Sequence, residues 1–176
     1  MRILGVDPGM ADTGWAVLEH LTDPPGHRLA FSGIIRTVPL HALPERLNLL
    51  HASISALLSR YIPDAMAIEE MFFLQAAHSI RATLQARGVI LLAAAQAKVP
   101  VSEYNPRQVK SALTGSGAAQ KAQMQKMVQR TLGLAEQLRP NDVSDAAAIA
   151  LCHLRLSRFK NVRVLDKIGG RVRRDP

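Results

Sequence analysis

The sequence predicts an α/β domain built on a mixed sheet, and three observations lead there. The first forty residues hold three short apolar runs separated by Pro- and Gly-containing turns, the pattern of meandering antiparallel strands. The middle alternates helical and strand patterns, as parallel strands joined by helical crossovers require. The remainder is helical in spacing, with Asn-Pro and Gly-rich punctuation between segments.

The first three strands are predicted at Arg2–Val6, Thr13–Glu19 and Arg28–Thr37. Asp7 to Asp12 forms a hairpin loop with Pro8 and Gly9, and Pro24-Pro25-Gly26 marks the next connection. Leu43, Leu47, Leu50, Ile54, Leu57 and Leu58 keep helical spacing up to Pro63. Ala65–Ile68 is continuously apolar, as a parallel strand covered on both faces should be. Ala76 to Ala97 reads as an Ala-rich helix of about 33 Å at 1.5 Å per residue. Val99–Tyr104 is the fifth strand. Asn105-Pro106 supplies a cap followed by Pro, opening a helix that ends near Leu113. Thr114-Gly115-Ser116-Gly117 interrupts, and a helix from Ala119 to Leu132 follows. Asn141 reads as the cap of a last helix, Asp142 to Arg158. The result is three antiparallel strands, then two parallel ones, flanked by helices.

A chain of 176 residues with 48% apolar composition is one domain with a full core. Its lone Cys152 forms no intrachain bridge, packs as a small apolar residue and suits a cytoplasmic protein. The apolar N-terminal run stops at Asp7, so no signal peptide is expected. The longest apolar run, Val89 to Ala95, falls short of the roughly 18 residues of a membrane span. Net charge is +8 and uneven: residues 1–104 carry 8 basic and 9 acidic side chains, and residues 105–176 carry 14 and 5. A basic half of this kind suits a polyanion such as nucleic acid. The segment KIGGRVRRDP, 167–176, has the composition of a flexible tail. The six histidines show no ligand spacing, and Trp15 reads as core.

Four acids stand at the ends of core elements. Asp7 ends Ile3-Leu4-Gly5-Val6, and Glu69 ends Met66-Ala67-Ile68. Asp142 and Asp145, spaced i, i+3, share one face at the start of the last helix. Singly, Asp7 also fits a turn residue, Asp142 a helix-start acid and Glu69 a surface charge. Laid over the ends of the first and fourth strands, the last helix would gather all four, and such a cluster repels unless a cation neutralises it. All-oxygen donors select Mg²⁺ or Mn²⁺ over Zn²⁺. Two such ions about 3.5–4 Å apart suit phosphodiester cleavage. Strand alternation puts Glu69 and Glu70 on opposite faces, so only one enters the cleft, and a one-residue slip exchanges them.

These residues resemble the RuvC family of Holliday-junction resolvases over nearly the whole chain. The matching stretches are ILGVDPGMADTGWAV (3–17), AIEEMF (67–72), QARGV (85–89), RQVK (107–110), GSG (115–117) with Lys121, and DVSDAAAIALCH (142–153). The resemblance implies a ribonuclease H-like fold, read here as one nuclease domain over 1–160; the chain departs from the family pattern mainly in the loop Leu74–His78 and in its tail, read from composition as a basic, flexible segment over 161–176. The resemblance also implies Mg²⁺-dependent paired nicking of four-way junctions by a homodimer that works with a branch-migration helicase. The implied catalytic and metal-holding acids are Asp7, Glu69, Asp142 and Asp145, with Glu69 chosen over Glu70 because it directly follows the apolar strand. Phe72 and its neighbour Phe73 match bulky residues placed near the junction centre, although core packing is the alternative for both. Lys110 and Lys121 match lysines beside the active site. Arg107 is a candidate phosphate contact or a solvated charge.

Two other classes fit parts of the pattern. Asp7-x-Gly9 followed by Gly14 also resembles the first phosphate loop of actin-like ATPases, although the chain has no duplicated second domain. A non-catalytic junction-binding module would have no use for intact carboxylates.

Overall fold

A computed structural model describes residues 1–70 and 78–167. Its elements are β1 (Arg2–Asp7), β2 (Asp12–Thr22), β3 (Pro25–Arg36), α1 (Leu43–Tyr61), β4 (Ala65–Glu69), α2 (His78–Gln96), β5 (Val101–Tyr104), α3 (Pro106–Thr114), α4 (Lys121–Thr131) and α5 (Asn141–Lys167). The five strands form one sheet in the order β3-β2-β1-β4-β5. β1 and β3 pair antiparallel with β2, while β4 pairs parallel with β1 and with β5. This is the mixed sheet that the sequence predicts.

Alternation along the strands divides the core in two. Leu4, Val6, Val17, Met66 and Ile68 face one way and pack with Leu50 and Ile54 of α1 and Ile90 and Ala93 of α2. Ile3, Ala16, Leu18, Ala65 and Ala67 face the other way and pack with α3, α4 and α5. Residues of α5 from Val143 to Leu154 are buried almost all round except Asp145, because α3 and α4 cover the side turned away from the sheet. A helix sandwiched in this way must be apolar or small on every face, and Ala146-Ala147-Ala148 and Ala150 meet that demand.

Two sheet glycines set how closely α5 lies. A Cβ on Gly5 would stand 2.1 Å from the Ala146 carbonyl oxygen, and one on Gly14 would stand 2.1 Å from the Asp142 carbonyl oxygen. Only the missing side chains let the first turns of α5 rest directly on β1 and β2.

Several boundaries differ from expectation. β2 and β3 pair out to Thr22 and Pro25, so the loop expected around Pro24-Pro25-Gly26 shrinks to a turn at Asp23 and Pro24. Extending the antiparallel ladder satisfies main-chain groups that a longer loop would leave to water. β5 starts at Val101 rather than Val99. α5 begins at Asn141, whose side chain serves another purpose than the expected cap. Its Oδ1 accepts from Gln125 Nε2 at 3.0 Å and from Arg139 Nη1 at 2.9 Å. Gln125 is buried, and a buried amide needs a partner. The backbone of α5 continues past Arg158 to Lys167, into the stretch assigned to the tail, because no Gly or Pro interrupts before Gly169. The expected cap at Asn105 is present: its Oδ1 accepts from Gln108 N at 2.8 Å, and Gln108 Oε1 accepts from Asn105 N at 3.1 Å. Cys152 is buried, and burial pushes its thiol up to about 12, in keeping with an inert packing role.

Candidate active site

The C-terminal ends of β1 and β4 lie side by side. Val6 pairs with Ile68, which leaves Asp7 and Glu69 as neighbours at the rim. Both follow the alternation of the α5 face, in step with Ile3 and Gly5 on β1 and with Ala65 and Ala67 on β4. Glu70 takes the opposite sense, and its amide donates to the Tyr104 carbonyl at 2.8 Å. The pairing register thereby places Glu69 rather than Glu70 beside Asp7. The turn leaving β1 is held by Thr13, whose Oγ1 donates to the Gly9 carbonyl at 2.6 Å.

The start of α5 brings the remaining acids. Asp145 enters a cleft of about 350 Å³ together with Asp7 and Glu69. Lys110 of α3 and Lys121 of α4 line its other side, and Met124 and Ile149 give it an apolar wall. Asp142 sits at the margin, its main chain against Gly14, and its charge acts on both Asp7 and Asp145. Lys121 Nζ donates to Asp145 Oδ2 at 2.6 Å. Arg107 is exposed on α3 and does not line the cleft. Phe72 and Phe73 lie outside the described residues.

The electrostatics follow from burial and crowding. Burial is the main cause that raises the Asp7 carboxyl to about 8, with the charges of Glu69, Asp145 and Asp142 adding to it. Asp7 consequently keeps a proton and shares it with Glu69, whose own carboxyl is raised by burial and partly restored by that hydrogen bond. Asp145 is raised by burial despite Lys121, and Lys121 is raised by its bond to Asp145. Asp145 Oδ1 is buried and accepts no hydrogen bond.

These residues suit a divalent cation. The donors are hard oxygens, one of them buried with nothing to accept, and the crowded charges need a counter-ion. Among the described residues no three acids close around one point; the Asp7–Glu69 and Lys121–Asp145 bonds hold them in pairs. Asp7, Glu69 and Asp145 would hold such a cation, with Asp142 beside them, and it would take the place of the proton shared in the first pair and of the ammonium in the second.

Sequence reading missed Arg87. Its Nε donates to the Glu69 carbonyl at 3.4 Å, and its Nη2 pairs with the Glu103 carboxylate on β5. The available signal was a cation in the run of apolar and small residues that follows Arg81 on α2. Ile149 was also passed over, although it follows Asp145 by four residues and so shares its helix face.

A rim of acids and lysines on a sheet of this topology defines a ribonuclease H-like nuclease. Comparison with known proteins narrows the class. The family model for crossover junction endodeoxyribonuclease RuvC matches residues 3–153. A relative from Syntrophomonas wolfei, named crossover junction endodeoxyribonuclease RuvC, is 45% identical over 163 residues, covering 90% of this chain and 93% of the relative. The Thermus thermophilus RuvC structure superposes with a TM-score of 0.84 at 37% identity, covering 91% of this chain and 97% of that one. The T. thermophilus protein in complex with a Holliday junction substrate gives a TM-score of 0.82 at 35% identity, over 90% and 96% of the two chains. The chain belongs to the RuvC family of crossover junction endodeoxyribonucleases, and membership implies dependence on a divalent metal.

Proposed function

We propose that this protein resolves four-way DNA junctions in recombination and repair by paired, symmetric nicks. The observation that carries this reading is the convergence of Asp7, Glu69 and Asp145 with Lys110 and Lys121 in one cleft at the sheet's rim.

Asp7, Glu69, Asp142 and Asp145 hold the divalent ions, Mg²⁺ with Mn²⁺ as a substitute, two to a site. Bound there, the ions supply positive charge that eases deprotonation of water and offsets charge building on the phosphate. The reaction is hydrolysis: water adds at phosphorus, the bond to the 3′-oxygen breaks, and a 5′-phosphate remains. Lys121, freed from Asp145, and Lys110 face the phosphate and stabilise the extra negative charge of the transition state. Arg107, on the exposed face of α3, meets the backbone beyond the cleft. Phe72 and Phe73 stack on unpaired bases at the junction centre, a contact worth about 1–3 kcal/mol per base.

A homodimer presents two such clefts to the two like strands of the junction, matching protein symmetry to substrate symmetry. The exposed side of α2, with Gly88, Leu92 and Ala95, forms its face. Residues 1–160 make up the nuclease domain, with 161–176 a basic extension. The enzyme acts in the cytoplasm alongside a branch-migration helicase. Among the described residues no helix is long and apolar enough to cross a membrane.

The test compares a synthetic four-way junction with linear duplex, each with and without Mg²⁺. Metal-dependent, symmetric nicking of the junction alone is expected. Equal cutting of both substrates, or binding without any cutting, would discard the reading.

A further inference from the structure

A second groove lies against the α3–α4 hairpin, outside the catalytic cleft. It measures about 440 Å³ and is lined by Thr114 at the end of α3, Ser116 of the connecting loop, and Gln123, Lys126, Met127 and Arg130 of α4. The same two helices line both cavities. Lys110 and Lys121 line the catalytic one, while Lys126 and Arg130, four residues apart and so on one helix face, line the other.

Its charge is uncompensated. From Pro106 to Thr131 the chain holds Arg107, Lys110, Lys121, Lys126 and Arg130 and no acidic residue. Lys121 is neutralised by Asp145, but among the described residues neither Lys126 nor Arg130 has an acidic partner. Elsewhere in the described fold, Arg2, Arg28, Arg36 and Arg87 pair with carboxylates, while Arg60 and Lys98 carry no ion pair but line neither groove. The loop presents little steric obstacle to a large polyanion. Gly115 takes φ +82° with no heavy atom within 4 Å of its missing Cβ. The turn around it is braced internally: Thr114 Oγ1 donates to the Lys110 carbonyl at 2.8 Å, and Ser116 Oγ accepts from Ala118 N at 3.3 Å. A pre-ordered loop lowers the entropy lost on contact with a ligand.

We propose that this groove is a second backbone-binding site, in which Lys126 and Arg130 grip phosphates of duplex DNA flanking the nick. The inference rests on the junction-resolving reading and adds a specific surface to it. Arg130 lies nine residues beyond Lys121, about 13 Å along α4 at 1.5 Å per residue. That spans about four nucleotides of axial rise at 3.4 Å per strand phosphate, so the phosphates held here are not those at the scissile bond. An ammonium and a guanidinium flanked by hydroxyls carry no base-reading pattern, so the contact is sequence-independent.

The test measures junction affinity against salt concentration, without divalent metal, for the full chain and two double variants. Lys126→Gln/Arg130→Gln removes the groove's cations. Arg60→Gln/Lys98→Gln removes the same net charge at the far end of the sheet, near the starts of β4 and β5. The first variant should bind more weakly, with a slope of log affinity on log salt shallower by about 1.8, or about 0.9 for each lost phosphate contact. The second should keep the slope of the unmodified chain. An unchanged slope in the groove variant overturns the proposal, as does an equal loss in both. If the unmodified chain shows no junction binding, the reading beneath it fails instead.

Discussion

Arg87 reaches from α2 to the main chain of Glu69, donating from Nε to its carbonyl oxygen at 3.4 Å while Nη2 pairs with Glu103. Glu69 is the last residue of β4 and its last pairing with β5, so Arg87 adds a side-chain donor to the main chain where the strand ends. The Arg87 side chain is only 15% exposed, so it is held against the strand rather than swinging in water. It therefore fixes the backbone that aims the Glu69 carboxylate. Replacing groups that orient a metal-holding side chain typically costs about 10–100-fold in metal affinity or activity. Arg87→Ala should raise the Mg²⁺ concentration for half-maximal cleavage by that order while metal-free junction binding stays the same. Arg87→Lys should recover part of the loss. A titration of cleavage rate against Mg²⁺ decides it, and superimposable curves would refute the positioning role.

The two sheet glycines invite a stability test. A Cβ on Gly5 would meet the Ala146 carbonyl at 2.1 Å and the Ala150 Cβ at 2.8 Å. The first obstacle is helix backbone, which cannot step aside as a side chain can. Overpacking of this kind costs about 1–3 kcal/mol. Gly5→Ala should unfold at lower denaturant by that amount and lose cleavage, because α5 must lift Asp145 away from Asp7. Gly26→Ala, where nothing stands within 4 Å, serves as the control and should be near neutral. Urea unfolding of both variants makes the comparison.

The same glycines show why parts of the site were legible and others not. Acids ending apolar strands at Asp7 and Glu69, and the i, i+3 pair Asp142 and Asp145, are local patterns readable from one strand or one helix turn. The step that joins them is not local. It needs the Val6–Ile68 register, which decides between Glu69 and Glu70, and the close seating of α5 on Gly5 and Gly14. Arg87 escaped because its partners lie 18 and 16 residues away and one is a main-chain carbonyl, which leaves no trace in residue type. Asn141 misled for the opposite reason: its residue type fits a cap, but buried Gln125 competes for its oxygen.

The protonation of Asp7 makes stability and metal binding depend on pH with defined signs. The unfolded carboxyl titrates near 3.8, and the folded one is raised to about 8, chiefly by burial. Between those values the unfolded chain releases a proton that the folded one keeps. Metal-free protein should therefore lose stability as pH rises from about 4 to about 8, and level off above. Asp7→Asn should flatten that slope. A divalent cation requires the ionised carboxylate, so Mg²⁺ should raise the melting temperature more at pH 8.5 than at pH 5.5 and release protons on binding at pH 7. Thermal melts across pH, with and without Mg²⁺, read the first two effects, and calorimetry in buffers of differing ionisation enthalpy reads the third. A metal effect larger at the acidic end would contradict the assignment.

Lys121 and a divalent cation compete for the same carboxylate. Lys121 Nζ stands 2.6 Å from Asp145 Oδ2, and the bond offsets part of the upward push that burial gives the Asp145 carboxyl. The lysine side chain is 55% exposed, so the pair adds little to stability, on the order of 0–1 kcal/mol. Its consequence is kinetic. Lys121→Met leaves Asp145 with no cation to displace, so the Mg²⁺ concentration for half-maximal cleavage should fall. The same change removes a positive charge facing the phosphate, so the rate at saturating Mg²⁺ should drop by about 10²–10³-fold. A purely structural lysine would weaken both quantities together or neither. Opposite movement of metal affinity and maximal rate in one Mg²⁺ titration therefore separates a lysine that trades partners during the cycle from one that merely props up the cleft.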